Sequence, residues 1–230
     1  MAKGKKRFSL ATKIVCGIAA LLVIFVAVYF ARMQSETLKM SPLDTGEVIP
    51  GIFAIRNGFA NFYLLEISDQ GRYIAIDAGR SASKARNELN RLGISSDDII
   101  AVLLTHTHMD HRGGLSVFDK AVIYGGENAK SGSISETLTE GELTVIAGFT
   151  IQCISTQGHS DDSVCYLIDG KYLFTGDTLS LQNDEVGLHN SFFNKSDEQQ
   201  QVDIEKLAAL SGVQYVFTTH YGYTNNAIFP

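Results

Sequence analysis

A chain of 230 residues, 45% of them hydrophobic, is long enough for one sizeable domain and an extra segment. Its 21 glycines and 3 prolines exclude collagen-like and low-complexity classes. The formal net charge of -6 conceals an asymmetry: Lys3, Lys5, Lys6, Arg7 and Lys13 all precede the first acid, Glu36, leaving 14 cations against 25 acids in the rest, a balance of -11. An acidic body repels a polyphosphate backbone, so no nucleic-acid partner is expected.

The first element in chain order is Ile14 to Ala31, 18 residues without a charge. As a helix it rises about 27 Å, close to the hydrocarbon thickness of about 30 Å. A cleaved signal peptide usually has a shorter apolar core, and no small-x-small cleavage site is evident after Ala27. A buried core helix is rarely apolar all round. The reading is a transmembrane signal anchor over 14–31. Before it, the basic segment 1–13 is expected in the cytoplasm, and the body outside, by the positive-inside rule. Residues 32–50, with Pro42 and Pro50, read as a polar linker, and residues 51–230 as the folded domain.

Short runs rich in aromatic and β-branched residues then read as strands: 51–55, 60–68 and 72–79. Residues 81–94 read as a helix that Ser81 or Ser83 could cap, with Ala85, Leu89 and Leu92 on its apolar face and Gly93 as its stop. The run "DIIAVLLTH" is a buried strand ending at His106, after which Gly113-Gly114 turns the chain toward a short helix. A second block follows: "AVIYGG", "LTVIAG", "FTIQCIST", "SVCYLIDG" and "KYLFTGD" read as strands, with Asp169-Gly170 a hairpin signal. Residues 180–195 look irregular. "SDEQQQVDIEKLAALSG" reads as a helix opened by a Ser196/Gln199 capping box, and "VQYVFTTH" as a last strand ending at His220. Two blocks of strands, each followed by helices, suggest an α/β fold of two sheets with helices outside. Cys153 and Cys165 fall in separate strands and read as two buried thiols rather than a disulfide.

Three of the six histidines crowd into "HTHMDH", 106–111. Imidazole is the commonest metal ligand and has a polar edge that needs a partner when buried. In extended chain His106 and His108 point the same way and can share a metal. The turn past Asp110 lets Asp110 and His111 aim at a neighbouring position. Further ligand-type residues stand just after strands: His159 in "GHS", Asp177 in "TGD" and His220 in "THYG". Loops at strand ends are where sites are built on a rigid scaffold. Asp77 reads as a strand-end carboxylate that supports the site by hydrogen bonding. His189 reads as an exposed residue of the irregular segment, outside the ligand set. Tyr221 and Tyr223 read as packing residues, Arg112 as a surface residue, and Asp161 and Asp162 either shape the pocket or are simply solvated.

These motifs, in this order and together with "IDAG" at 76–79, resemble the metallo-β-lactamase superfamily over about residues 50 to 222. The resemblance implies an αββα four-layer sandwich, preceded here by one transmembrane helix, with 51–230 as the catalytic domain. Carried over position by position, His106, His108 and His159 would hold one metal, and Asp110, His111 and His220 a second, with Asp177 bridging. Asp110 also takes the catalytic role. The cofactors implied are two divalent metal ions, Zn before Fe or Mn. The implied reaction is hydrolysis by a metal-bound hydroxide of a small ester, thioester, lactone, amide or phosphodiester.

The best-known lactamases have a Cys where Asp177 stands. The aspartate is shared with glyoxalase II-type thioesterases, lactonases and phosphodiesterases. A Glu in place of His108 marks the diiron flavoprotein branch. Two other readings stay open: an iron-dependent sulfur dioxygenase, which uses a very similar ligand set, and a non-catalytic metal-binding or sensor protein on the same fold.

Overall fold

The structure is a computed structural model that describes residues 9–68 and 70–230. The chain divides into two units, residues up to Lys39 and Met40–Pro230. The first is the helix α1 (Leu10–Thr37), capped by Ser9, whose Oγ accepts from the Thr12 N–H at 3.2 Å. None of its residues is buried, and it is long and apolar enough to cross a membrane. It extends past the predicted 14–31 span at both ends, by four residues before it and six after. Of the five N-terminal cations, Lys3, Lys5, Lys6 and Arg7 lie outside the described residues.

The second unit starts earlier than the sequence suggested. Within the expected linker, β1 (Gly46–Ile49) pairs antiparallel with β2 (Ile52–Arg56). The Asn61 amide clamps the Leu43 backbone at 2.7 and 3.0 Å. Next come β3 (Asn61–Ile67), β4 (Arg72–Ile76), α2 (Ala82–Leu92), β5 (Ile99–Leu103), α3 (Met109–Arg112), β6 (Val122–Gly126) and β7 (Glu136–Leu138). Strands β1 to β7 form one sheet in chain order, antiparallel as far as β4 and parallel from β4 onward. Ser81 caps α2 and Gly93, at φ 72°, closes it. The short helix α3 precedes Gly113-Gly114, and the short helix expected after them is a single 3-10 turn, Leu115–Val117.

The second sheet contains β8 (Leu143–Ile146), β9 (Phe149–Ser155), β10 (Val164–Ile168) and β11 (Tyr172–Phe174). A separate hairpin, β12 (Leu179–Gln182) and β13 (Glu185–Leu188), occupies the segment expected to be irregular. Its turn residues Asn183 and Asp184 both have positive φ, a backbone their short polar side chains tolerate. Then follow α4 (Asp197–Ala208), β14 (Tyr215–Phe217) and β15 (Tyr223–Thr224); the sheet order is β15-β14-β11-β10-β9-β8. Ser196 caps α4 through the Gln199 N–H, but the Gln199 side chain turns to Asp203, so only half of the expected box forms.

Side-chain alternation sorts each strand between two cores. Ala54, Tyr63, Leu65, Ile74 and Ile76 of the first sheet meet Ile151, Cys153, Tyr166, Phe174 and Phe217 of the second in the central core. Ile55, Phe62, Leu64 and Ala75 face outward against Ala85 and Leu89 of α2. Cys165, Leu167 and Leu173 face outward against Ile204 and Leu207 of α4. The layers are therefore helix, sheet, sheet, helix. Cys153 and Cys165 lie on opposite faces of one sheet, which keeps both as buried free thiols. Bonds cross between the sheets where the site lies: Tyr166 Oη donates to Leu104 O at 2.7 Å, and Tyr63 Oη to Thr218 O at 2.7 Å.

Candidate metal centre

The candidate ligands stand just beyond strand ends or on the short helix that follows one. His106 and His108 follow β5, and Asp110 and His111 ride on α3. His159 follows β9, Asp177 follows β11 and His220 follows β14. Glycine lets the loops approach closely: a Cβ on Gly158 would lie 2.3 Å from the Gln200 backbone nitrogen, and one on Gly176 would lie 2.6 Å from Thr105 Oγ1.

The structure brings all seven predicted residues together. Donor atoms of His106, His108 and His159 form one group within 4.8 Å of one another, and those of Asp110, His111, Asp177 and His220 form another. Asp177 lies at the middle. Its Oδ2 is 3.3 Å from His111 Nε2, 3.5 Å from His159 Nε2 and 3.9 Å from His106 Nε2, while Oδ1 is 3.2 Å from His220 Nε2. Asp110 Oδ2 stands 3.5 Å from His220 Nε2, and His159 Nε2 3.0 Å from His108 Nδ1. Ligand atoms about 2.0–2.2 Å from a shared ion at tetrahedral angles stand about 3.4 Å from one another. The observed spacings cluster around that value.

The chemistry of the donor set also fits a metal. Among the described residues, His106 Nε2, His111 Nε2 and Asp177 Oδ1 are buried without a hydrogen-bond partner. Buried polar atoms are seldom left so. The far nitrogens, by contrast, are occupied. His111 Nδ1 lies 2.8 Å from Asp77 Oδ2, His220 Nδ1 donates to Phe59 O at 2.8 Å, and His159 Nδ1 lies 3.2 Å from Asn194 Oδ1. With the proton on Nδ1, the Nε2 lone pair of each ring faces inward.

Electrostatics follow from burial and crowding. Burial disfavours the Asp177 carboxylate, but His220, His111 and His189 outweigh it and hold the carboxyl well below the usual range. Burial, and then the charge of His111, drives His106 well below the ordinary histidine value. Burial lowers His159 as well. For His111, Asp177 and Asp77 overcome burial and raise it well above that value.

Neighbours hold the first motif in shape. Asp77 is 2% exposed and accepts from the Thr105 N–H and hydroxyl at 2.8 and 2.9 Å. Asp162 is more than a solvated acid: its Oδ2 accepts from the Thr107 N–H at 2.9 Å and hydroxyl at 2.6 Å. Arg112 is half-buried, not a surface residue, and donates to Thr107 O at 2.7 Å. The peptide between His106 and His108 is thus gripped from both sides. Asp161 is exposed and pairs with Lys195. Tyr221 packs in the α4-side core, and Tyr223 Oη donates to Val48 O at 3.1 Å.

His189 overturns its expectation. It is 2% exposed and lies inside the cluster, its Nε2 3.7 Å from Asp177 Oδ2. The clue was present in composition: it is the sixth histidine of a chain whose other five meet here. What hid it was the unrecognised β12–β13 hairpin that delivers it.

Residues 55–127 match the sequence profile of the Metallo-beta-lactamase superfamily. This chain carries a metallo-β-lactamase superfamily domain. The chain is 30% identical, over 161 residues, to the hydroxyacylglutathione hydrolase of Idiomarina loihiensis, an alignment covering 69% of this chain and 60% of that protein. The chain therefore spans less than two thirds of that relative. In structure it resembles a metallo-β-lactamase family protein of Thermus thermophilus, with TM-score 0.61 and 20% identity over 78% of this chain and 76% of that one. A subclass B3 metallo-β-lactamase of Bradyrhizobium japonicum gives TM-score 0.60 and 20% identity, covering 79% of each chain. At that identity the structural likeness establishes the αββα sandwich of the metallo-β-lactamase fold and nothing finer.

Proposed function

We propose that the protein is a membrane-anchored, binuclear metal-dependent hydrolase acting on a small ester, thioester, lactone, amide or phosphodiester. The observation that carries this reading is one buried carboxylate, Asp177, shared by two groups of ligand-type side chains. His106, His108 and His159 would hold one ion, Asp110, His111 and His220 the other, and Asp177 both. Two divalent ions, Zn foremost, would supply acidity to a water molecule and stabilise negative charge developing on the substrate.

The chain's own residues set the stage for that chemistry. Asp77, Phe59 O and Asn194 orient the rings of His111, His220 and His159 from behind. His108 is exposed and Asp110 half-buried, so these two border the mouth through which substrate enters. The partly exposed Asp110 carboxylate would act as the base that accepts the proton of the attacking water. The relative with 30% identity is a hydroxyacylglutathione hydrolase, which favours acyl transfer to water among these substrate classes. The apolar helix α1 and the cations before it support an anchor with the N-terminus in the cytoplasm and the domain outside.

The test is to purify the full-length chain in detergent, quantify its metals, and screen it against ester, thioester, lactone, amide and phosphodiester substrates. The expected result is about two divalent ions per chain and hydrolysis abolished by chelation. One iron per chain, with oxygen consumed and no hydrolysis, would replace this reading with oxygen chemistry. Two metals without turnover on any class would favour a binding or sensor role.

A further inference from the structure

His189 is a buried imidazole that the seven-ligand scheme leaves without a task. The hairpin β12–β13 holds it firmly: Leu179, Leu181 and Val186 sink into the α4-side core, and Ser180 Oγ donates to Leu188 O at 2.9 Å. Asn194, which lies behind His159, also donates to the His189 carbonyl at 2.9 Å. The ring therefore sits where the fold puts it. Its centroid is 5.1 Å from that of His159 and 5.6 Å from that of His220, one member of each ligand group.

Neither ring nitrogen is otherwise employed. Among the described residues Nδ1 is buried with no hydrogen-bond partner. Nε2, at 3.7 Å from Asp177 Oδ2, is too far for a hydrogen bond but near the separation of two atoms in one metal's coordination shell. His159, Asp177 and His189 offer donor atoms within 4.8 Å of one another, a third group that shares His159 with the first and Asp177 with the second.

We propose that His189 is an eighth metal ligand, binding with His159 and Asp177 in a position that the seven-residue pattern does not contain. This rests on the reading that the cluster holds metal. An eighth donor raises one ion from four protein ligands to five. That tightens its binding and restricts the water positions around it.

The test uses the full-length chain in detergent, labelled with nitrogen-15 histidine and loaded with cadmium-113. Scalar coupling between cadmium and a ring nitrogen reports a direct bond. The resonance of His189 is identified by its loss in His189→Gln. The expected result is coupling at His189 as well as at His106 and His159. In His189→Gln, the weaker Zn affinity, measured by chelator competition, should drop at least about tenfold. Coupling at His106 and His159 with an uncoupled His189 overturns the proposal and leaves the hydrolase reading standing. A wild-type chain that binds no cadmium overturns both. Should the variant misfold, the wild type still decides: the chain has six histidines, and six coupled rings support the proposal where five overturn it.

Discussion

Asp77→Asn isolates the part played by the group behind His111. Asp77 has a φ of 63°, a conformation asparagine tolerates, and the two side chains are nearly isosteric, so backbone and volume terms drop out. In the native chain Oδ1 accepts from the Thr105 N–H at 2.8 Å, and Oδ2 lies 2.8 Å from His111 Nδ1. The amide keeps one acceptor for Thr105. Its NH2 then faces the Nδ1–H of His111. Either two donors oppose each other, or the ring moves its proton to Nε2, the atom 3.3 Å from Asp177, and loses the lone pair a metal needs. Loss of a hydrogen bond to a charged group costs about 1.5–3 kcal/mol. At about 2–4 °C per kcal/mol for a domain of this size, the chelator-treated variant should melt about 3–12 °C lower by calorimetry. Zn affinity, by chelator competition, should fall about 10–100-fold. An Asn variant with wild-type metal affinity would refute the argument that Asp77 sets the His111 tautomer.

Asp162→Ala frees the Thr107 peptide while removing only a half-buried side chain, so Zn affinity should fall about tenfold with a small change in melting temperature. Unchanged affinity would show that Arg112 alone holds the loop. Burial pushes the thiols of Cys153 and Cys165 up to about 12. Both should resist alkylation at pH 8 in the native chain and react after unfolding in urea. Since both folded values lie above the unfolded value of 9.0, the stability they contribute is complete below pH 9. It is lost as pH rises from there toward 12, and urea midpoints should fall across that window. For the orientation, protease added to intact cells, or to spheroplasts where there is an outer membrane, should remove the domain. Protection until lysis would reverse the proposed topology, and mature protein free of membranes and lacking residues before about 31 would establish a cleaved signal peptide.

Much of this protein is local in origin and was legible in the chain. Strand alternation, the Gly93 stop, the Asp169-Gly170 turn and the uncharged run 14–31 are properties of neighbours in sequence, and they sort residues into sheets, helices and a hydrophobic N-terminal segment. The seven ligand-type residues were visible because strands end in loops, and four short motifs marked those loops. What only the tertiary structure decided depends on contacts between distant segments. Strand β1 exists because β2 offers it a partner, although its own sequence reads as linker. Asp162 grips Thr107 across 55 positions of chain, and no local rule distinguishes it from the solvated Asp161 beside it. The placement of His189 depended on both kinds of information. Its hairpin has short strands and a weak turn signal, so the segment reads as irregular. Once Leu179, Leu181 and Val186 dock against the α4 side of the second sheet, the hairpin's end has no freedom left. The imidazole is then carried into the one place in the molecule where five other histidines already point.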